Sequence, residues 1–77
     1  MKRSPDKLTA YTDGRFKILV IETETSFEAW IGCEPYGTAD FMFGMDKKKL
    51  GNESFTTLVK ANLKDYEKLF LEAHEEN

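Results

Sequence analysis

The sequence predicts an α+β fold in which three to four antiparallel strands form a β-meander packed on one face by a single C-terminal amphipathic α-helix. Short apolar segments separated by turn residues predict the strands. Apolar residues at three- and four-residue steps near the C-terminus predict the helix. A length of 77 residues suits one small core. Residues 1–77 are therefore predicted to form a single domain, with 1–6 as a flexible N-terminal tail.

The first two strands are predicted on either side of the dipeptide Asp13-Gly14. This dipeptide favours a tight hairpin because Asp and Gly accept the positive φ angles of such turns. The segment after it, Arg15 to Ile21, is rich in β-branched residues and is predicted to be an inner strand. The segment before it, Leu8 to Tyr11, is short, and the sequence leaves open whether this first strand forms.

Two further strands and the helix follow. The third strand is predicted at Phe27 to Cys33 and the fourth at Thr38 to Gly44, with a turn containing proline and glycine between them. Glu53 to Ala73 is predicted to form a helix that is longer than the strands and overhangs the sheet. Asn62 interrupts the apolar stripe, but no glycine or proline is nearby, so we expect a continuous helix. Glutamates at the C-terminal end oppose the helix dipole, and the last turn should fray unless a partner holds it.

Side chains of a strand alternate between the two faces of a sheet, so the sequence also predicts which residues share a face. The core face, covered by the helix, is predicted to carry Phe16, Ile18, Val20, Phe27, Ala29, Ile31, Cys33, Ala39, Phe41 and Phe43. The opposite face is predicted to carry Arg15, Lys17, Leu19, Ile21, Glu28, Trp30, Asp40 and Met42. This second face mixes charged and large apolar side chains and is the main functional clue.

The apolar part of that second face predicts a protein-binding surface, formed by Leu19, Ile21, Trp30 and Met42. Contiguous exposed apolar surface is uncommon in a monomer, and Trp and Met are favoured interface residues. We expect a non-enzymatic interaction or regulatory accessory module that self-associates as a homodimer or binds an unidentified protein partner. Its polar rim would consist of Arg15, Lys17, Glu28 and Asp40. The alternative, that the first strand, the N-terminal segment or a bent helix end covers the patch, stays open.

Two other binding functions are consistent with the sequence. Basic side chains could bind nucleic acid through Arg15, Lys17, Lys47, Lys48 and Lys49, although a net charge of -3 disfavours general affinity for phosphate backbones. An acidic decoy or inhibitor could instead engage a basic partner through the C-terminal helix, using Asp65, Glu67, Glu72, Glu75 and Glu76.

Catalytic and cofactor chemistry is not indicated. Cys33 and His74 are the only residues of their types, which is too few for a structural zinc site within one chain. We expect Cys33 in the core and His74 as a solvated side chain. No nucleotide-binding motif is present. The sequence thus predicts no enzyme activity, no metal, no cofactor and no small-molecule ligand. Without a signal-peptide pattern or membrane span, a cytoplasmic protein with no membrane partner is expected.

Overall fold

The computed structural model describes residues 7–34 and 36–75. Four strands are followed by one helix: β1 (Lys7–Asp13), β2 (Phe16–Glu22), β3 (Ser26–Cys33), β4 (Ala39–Asp46) and α1 (Asn52–Glu75). The strands form one antiparallel sheet in the order β1-β2-β3-β4. This arrangement confirms the predicted α+β meander with a C-terminal helix, and it includes the first strand. The predicted N-terminal tail, 1–6, lies outside the described residues.

The turn between β1 and β2 differs by one residue from the prediction. Asp13 pairs with Phe16, so the two central residues of the turn are Gly14 and Arg15. Gly14 has a φ of 62°, and no described non-glycine residue has a positive φ. Glycine at the first central position is the requirement of a type II′ hairpin turn. The expectation that Asp13 also supplies a positive φ is therefore wrong, because Asp13 ends β1.

The core lies between the sheet and α1, which packs mainly against β3 and β4. Alternate residues of β2 and β3 are buried there, as predicted, together with one stripe of the helix. The rings of Phe27 and Phe55 stack with centroids 5.2 Å apart. The helix is continuous through Asn62, whose side-chain amide donates a hydrogen bond of 2.8 Å to the carbonyl of Leu58. That bond satisfies the polar side chain within the apolar stripe.

A β-bulge in β4 overturns part of the predicted face assignment. Trp30 pairs with Phe41 and the neighbouring Ala29 pairs with Phe43, so Met42 is an extra residue in β4. An extra residue exchanges the faces on which the preceding side chains lie. Met42 is buried in the core at 7% exposure, whereas Phe41 is 53% exposed on the other face. The predictions for Ala39, Asp40, Phe41 and Met42 are therefore wrong, and the prediction for Phe43 is confirmed.

The C-terminal end of α1 is attached to the sheet. The His74 ring stacks on Phe70 with centroids 4.1 Å apart, and its Nε2 lies 2.9 Å from Asp40 Oδ2. Glu75 Oε2 accepts hydrogen bonds from Arg15 Nη2 at 3.3 Å and from Tyr36 Oη at 3.0 Å. The expectation of a solvated His74 is wrong, and α1 stays helical to Glu75. This helix is not apolar enough to cross a membrane, and the described residues contain no other helix.

Candidate functional site: the open sheet face

The face of the sheet opposite α1 is the candidate site, and we call it the open face. Strand alternation and register place fourteen positions on it. These are Leu8, Ala10 and Thr12 of β1; Lys17, Leu19 and Ile21 of β2; Ser26, Glu28, Trp30 and Gly32 of β3; and Ala39, Phe41, Gly44 and Asp46 of β4. Within the described part of the chain, no strand or helix lies over this face.

An apolar row crosses the open face from one edge of the sheet to the other. Ala10 pairs with Leu19, Leu19 with Trp30, and Trp30 with Phe41. These four residues form the cross-strand row. Leu8, which is 63% exposed, lies beside it next to Ile21. Directly opposed side chains on neighbouring strands touch each other, so the row is continuous apolar surface rather than a set of isolated residues.

Neighbouring side chains hold Trp30 at the centre of this row. Its ring meets that of Phe41 edge to face, with centroids 5.3 Å apart and planes at 71°. Its Nε1 donates a hydrogen bond of 3.2 Å to Glu28 Oε1. Gly44 leaves room for the Phe41 ring, since a Cβ there would lie 3.4 Å from the ring's Cζ. These contacts involve only residues of the chain itself and set the relative position of the two rings.

A shallow depression of about 410 Å³ extends the open face toward the β1–β2 turn. Lys17, Leu19 and Gly32 contribute to its lining. Gly32 has no side chain, and a Cβ at that position would lie only 2.9 Å from the backbone oxygen of Thr38. The two strands thus approach closely here, and the missing side chain leaves a recess beside the cross-strand row.

The polar rim is smaller than the sequence predicted. Lys17 is exposed on the open face and Glu28 is half-buried on it. Arg15 lies in the hairpin turn and contacts Glu75 of α1, and Asp40 contacts His74 on the helix side. Lys17 and Glu28 remain as the charged groups nearest the cross-strand row.

The structure places Leu19, Ile21 and Trp30 on the open face, as the alternation of β2 and β3 predicts. It removes Met42 from this surface and adds Phe41, Ala10 and Leu8. The sequence carried a signal for the missed Phe41. Phe41 to Phe43 are three successive apolar residues, a pattern that fits either register, and Gly44 is of the type that often marks a bulge. Binding by these residues stays a prediction.

The basic side chains proposed for nucleic-acid binding lie at opposite ends of the sheet. The Arg15 carbonyl accepts a hydrogen bond from the Glu34 amide, at the C-terminal end of β3, whereas the Lys47 amide bonds to Thr25 at the other end. The eight residues of β3 span about 27 Å. Lys47 also pairs with Glu22 at 2.8 Å, and this contact lowers the pKa of that carboxyl. Lys48 and Lys49 are exposed. Among the described residues, these five basic side chains therefore form no continuous patch.

Carboxylates proposed for an acidic decoy differ in their surroundings. Asp65 and Glu72 are exposed, Glu75 contacts Arg15, and Glu76 lies outside the described residues. Glu67 is buried at 8% exposure, 3.4 Å from Lys64 Nζ. Burial, followed by a hydrogen bond with Asp13, raises the pKa of Glu67. The same bond and the ammonium of Lys64, 2.8 Å away, lower the pKa of Asp13. Glu67 is thus a structural group rather than a free surface charge.

Cys33 is buried in the core, as predicted, and its Sγ lies 3.1 Å from the carbonyl oxygen of Glu34. The described residues include no cluster of three or more side chains suited to hold a metal ion.

Comparison with protein-family models, with curated proteins and with solved structures found no match to this chain.

Proposed function

We propose that this protein is an interaction module that binds another protein molecule through the open face. The observation that carries the proposal is the cross-strand row, which is apolar across all four strands and uncovered within the described residues. Exposed apolar surface of this extent is typical of binding sites. Aromatic side chains at the centre of such surfaces often contribute most of the binding free energy.

Desolvation of the row and of Leu8 beside it would supply most of the affinity. Phe41 at 53% exposure and Leu8 at 63% exposure retain much of their surface in water, and covering them removes that surface from solvent. Trp30 Nε1 is already bonded to Glu28, so a partner does not need to provide an acceptor for it. Lys17 and Glu28 would orient the partner at the rim.

Substitution of Phe41 tests the proposal because its side chain is exposed and lies outside the core. We expect Phe41→Ser to weaken association at least tenfold while the protein stays folded. Leu69→Ser is the matched control, since Leu69 is 56% exposed on the outer side of α1. Proteins crosslinked to the tagged chain in cells, including an untagged second copy, would be quantified by mass spectrometry for each variant.

Trp30→Ala should have the same effect as Phe41→Ser and should leave the fold intact, as judged by circular dichroism. Loss of crosslinked proteins in Leu69→Ser alone, or equal retention in all variants, would show that the open face is not the binding surface. Unfolding of Trp30→Ala would show that this ring is part of a core.

A further inference from the structure

We infer that the partner at the open face is a second copy of this chain, bound face to face about a two-fold axis. The axis lies between the two sheets and runs across their strands. The inference rests on the function proposed above and adds the identity of the partner. The distribution of charge on the face, the chemistry of the cross-strand row and the size of the face support it.

The charges on the open face are self-complementary under a two-fold rotation. Lys17 lies two residues before Leu19 in β2, and Glu28 lies two residues before Trp30 in β3. Because these strands are antiparallel, Lys17 and Glu28 lie on opposite sides of the row, diagonally about the Leu19–Trp30 pair. A two-fold rotation about an axis across the strands exchanges these two sides and places Lys17 of one copy close to Glu28 of the other, twice. An isologous interface requires this self-complementarity.

Both charged groups are available for such pairs. Residues 7–34 and 36–75 form no ion pair with Lys17 or with Glu28. Glu28 Oε1 accepts the hydrogen bond of the Trp30 indole, and Oε2 forms no ion pair with any of the described residues. A partner surface carrying a single sign of charge would repel one of the two groups, whereas a second copy pairs both.

The cross-strand row can be covered by its own copy without leaving a polar atom unpaired. The rotation superimposes the row roughly on itself, so that Leu19 and Trp30 of the two copies meet at the centre. Ala10, Leu19 and Phe41 have no polar side-chain atoms, and the indole N–H is bonded within the chain. The strands of the two copies are then roughly aligned, as in the packing of β-sandwiches.

The size of the face predicts a weak dimer. Fourteen side-chain positions, spaced by about 4.8 Å across strands and about 6.8 Å along them, cover about 460 Å² in projection. A standard stable interface buries about 800 Å² on each partner. Self-association should therefore be reversible and detectable only at high protein concentration.

Sedimentation velocity of the full chain, at concentrations up to about 1 mM, tests this arrangement. We expect the wild-type protein to convert reversibly from monomer to dimer. Lys17→Glu and Glu28→Lys should each weaken the dimer at least tenfold, because each brings like charges together twice. An equimolar mixture of the two variants should regain wild-type affinity as a heterodimer, since one ion pair re-forms with reversed sign and the other with its original sign.

Several results would overturn the inference. If the wild-type chain stays monomeric at every protein concentration, it does not form this dimer. A dimer that persists after both charge reversals forms through a different surface, for example the exposed edge of β1. If the mixture of variants does not regain affinity, the two-fold pairing of Lys17 with Glu28 is excluded. The function proposed above is tested separately. It holds for a monomeric chain if Phe41→Ser loses a crosslinked protein other than this chain and Leu69→Ser retains that protein.

Discussion

Gly32 is a residue whose identity is fixed by backbone packing. It lies in β3 opposite Ala39, and a Cβ there would be 2.9 Å from the Thr38 carbonyl oxygen. Real Cβ atoms do not approach a backbone oxygen so closely, so a larger residue must separate β3 from the start of β4. The recess on the open face thus depends on this glycine.

Gly32→Ala is expected to lower the free energy of unfolding by about 1–3 kcal/mol, the usual range for an overpacked site. Gly51→Ala is the matched control, because nothing lies within 4 Å of a Cβ at that position. Urea unfolding followed by circular dichroism gives both values. Equal stability of the two variants would show that the strands do not approach closely at Gly32.

Glu67 and Asp13 have opposite effects on stability as the pH changes. Burial first, and then the hydrogen bond with Asp13, raises the pKa of Glu67 above its ordinary value of 4.5. The stability contributed by neutral Glu67 is therefore complete below that pH and is lost as the pH rises through the raised value. Asp13 has a lowered pKa, so its contribution is present above 3.8 and is lost as the pH falls through the lowered value.

We expect Glu67→Gln to stabilise the protein at pH 7 by up to about 1 kcal/mol, because it removes a buried charge whose solvent screening is incomplete. The gain should shrink toward zero as the pH falls below 4.5, where Glu67 becomes neutral in both the folded and the unfolded state. Glu72→Gln, on the exposed side of α1, is the control and should show no such trend. Urea unfolding between pH 4 and pH 7.5 measures the difference. A gain that does not vary with pH would contradict the assignment.

At the scale of elements, the bulge in β4 decides which aromatic ring reaches the open face. Met42 fills the core and Phe41 lies outside it. Met42→Ala should therefore cost about 2–4 kcal/mol of unfolding free energy. Phe41→Ala should cost about 1 kcal/mol, chiefly from its edge-to-face contact with Trp30. Urea unfolding of both variants compares them directly. The reverse order would mean that β4 has no bulge and that Phe41 is the core residue.

The elements differ in how far sequence predicts them. The faces of β2 and β3 follow from uninterrupted alternation, and α1 follows from its apolar stripe. The faces of β4 cannot be predicted in this way, because Phe41 to Phe43 are apolar at every position. One extra residue moves every side chain that precedes it in the strand to the opposite face of the sheet. The contact between His74 and Asp40 joins residues 34 positions apart and depends on the same bulge. The open face was therefore predicted at its centre and missed at its β1 and β4 edges.

At the scale of the whole molecule, α1 covers one side of a four-stranded sheet, and no strand or helix among residues 7–34 and 36–75 covers the other side. A core with a single packed side gives limited stability, because small domains bury a small share of their surface. Principal dimensions of 45 × 25 × 19 Å describe such a two-layer molecule. A second sheet packed on the open face would create a second apolar layer. Folding and self-association are then linked through the same surface.

This linkage predicts that the thermal unfolding midpoint rises with protein concentration. Above the dissociation constant, each tenfold increase in concentration stabilises the dimer by about 1.4 kcal/mol, or about 0.7 kcal/mol per chain. For a domain of this size, that corresponds to a rise in the midpoint of about 3–6 °C. Calorimetry over a concentration series should show this rise for the wild type and a constant midpoint for Phe41→Ser. A wild-type midpoint that does not change with concentration would mean that the folded chain gains no stability from a second copy.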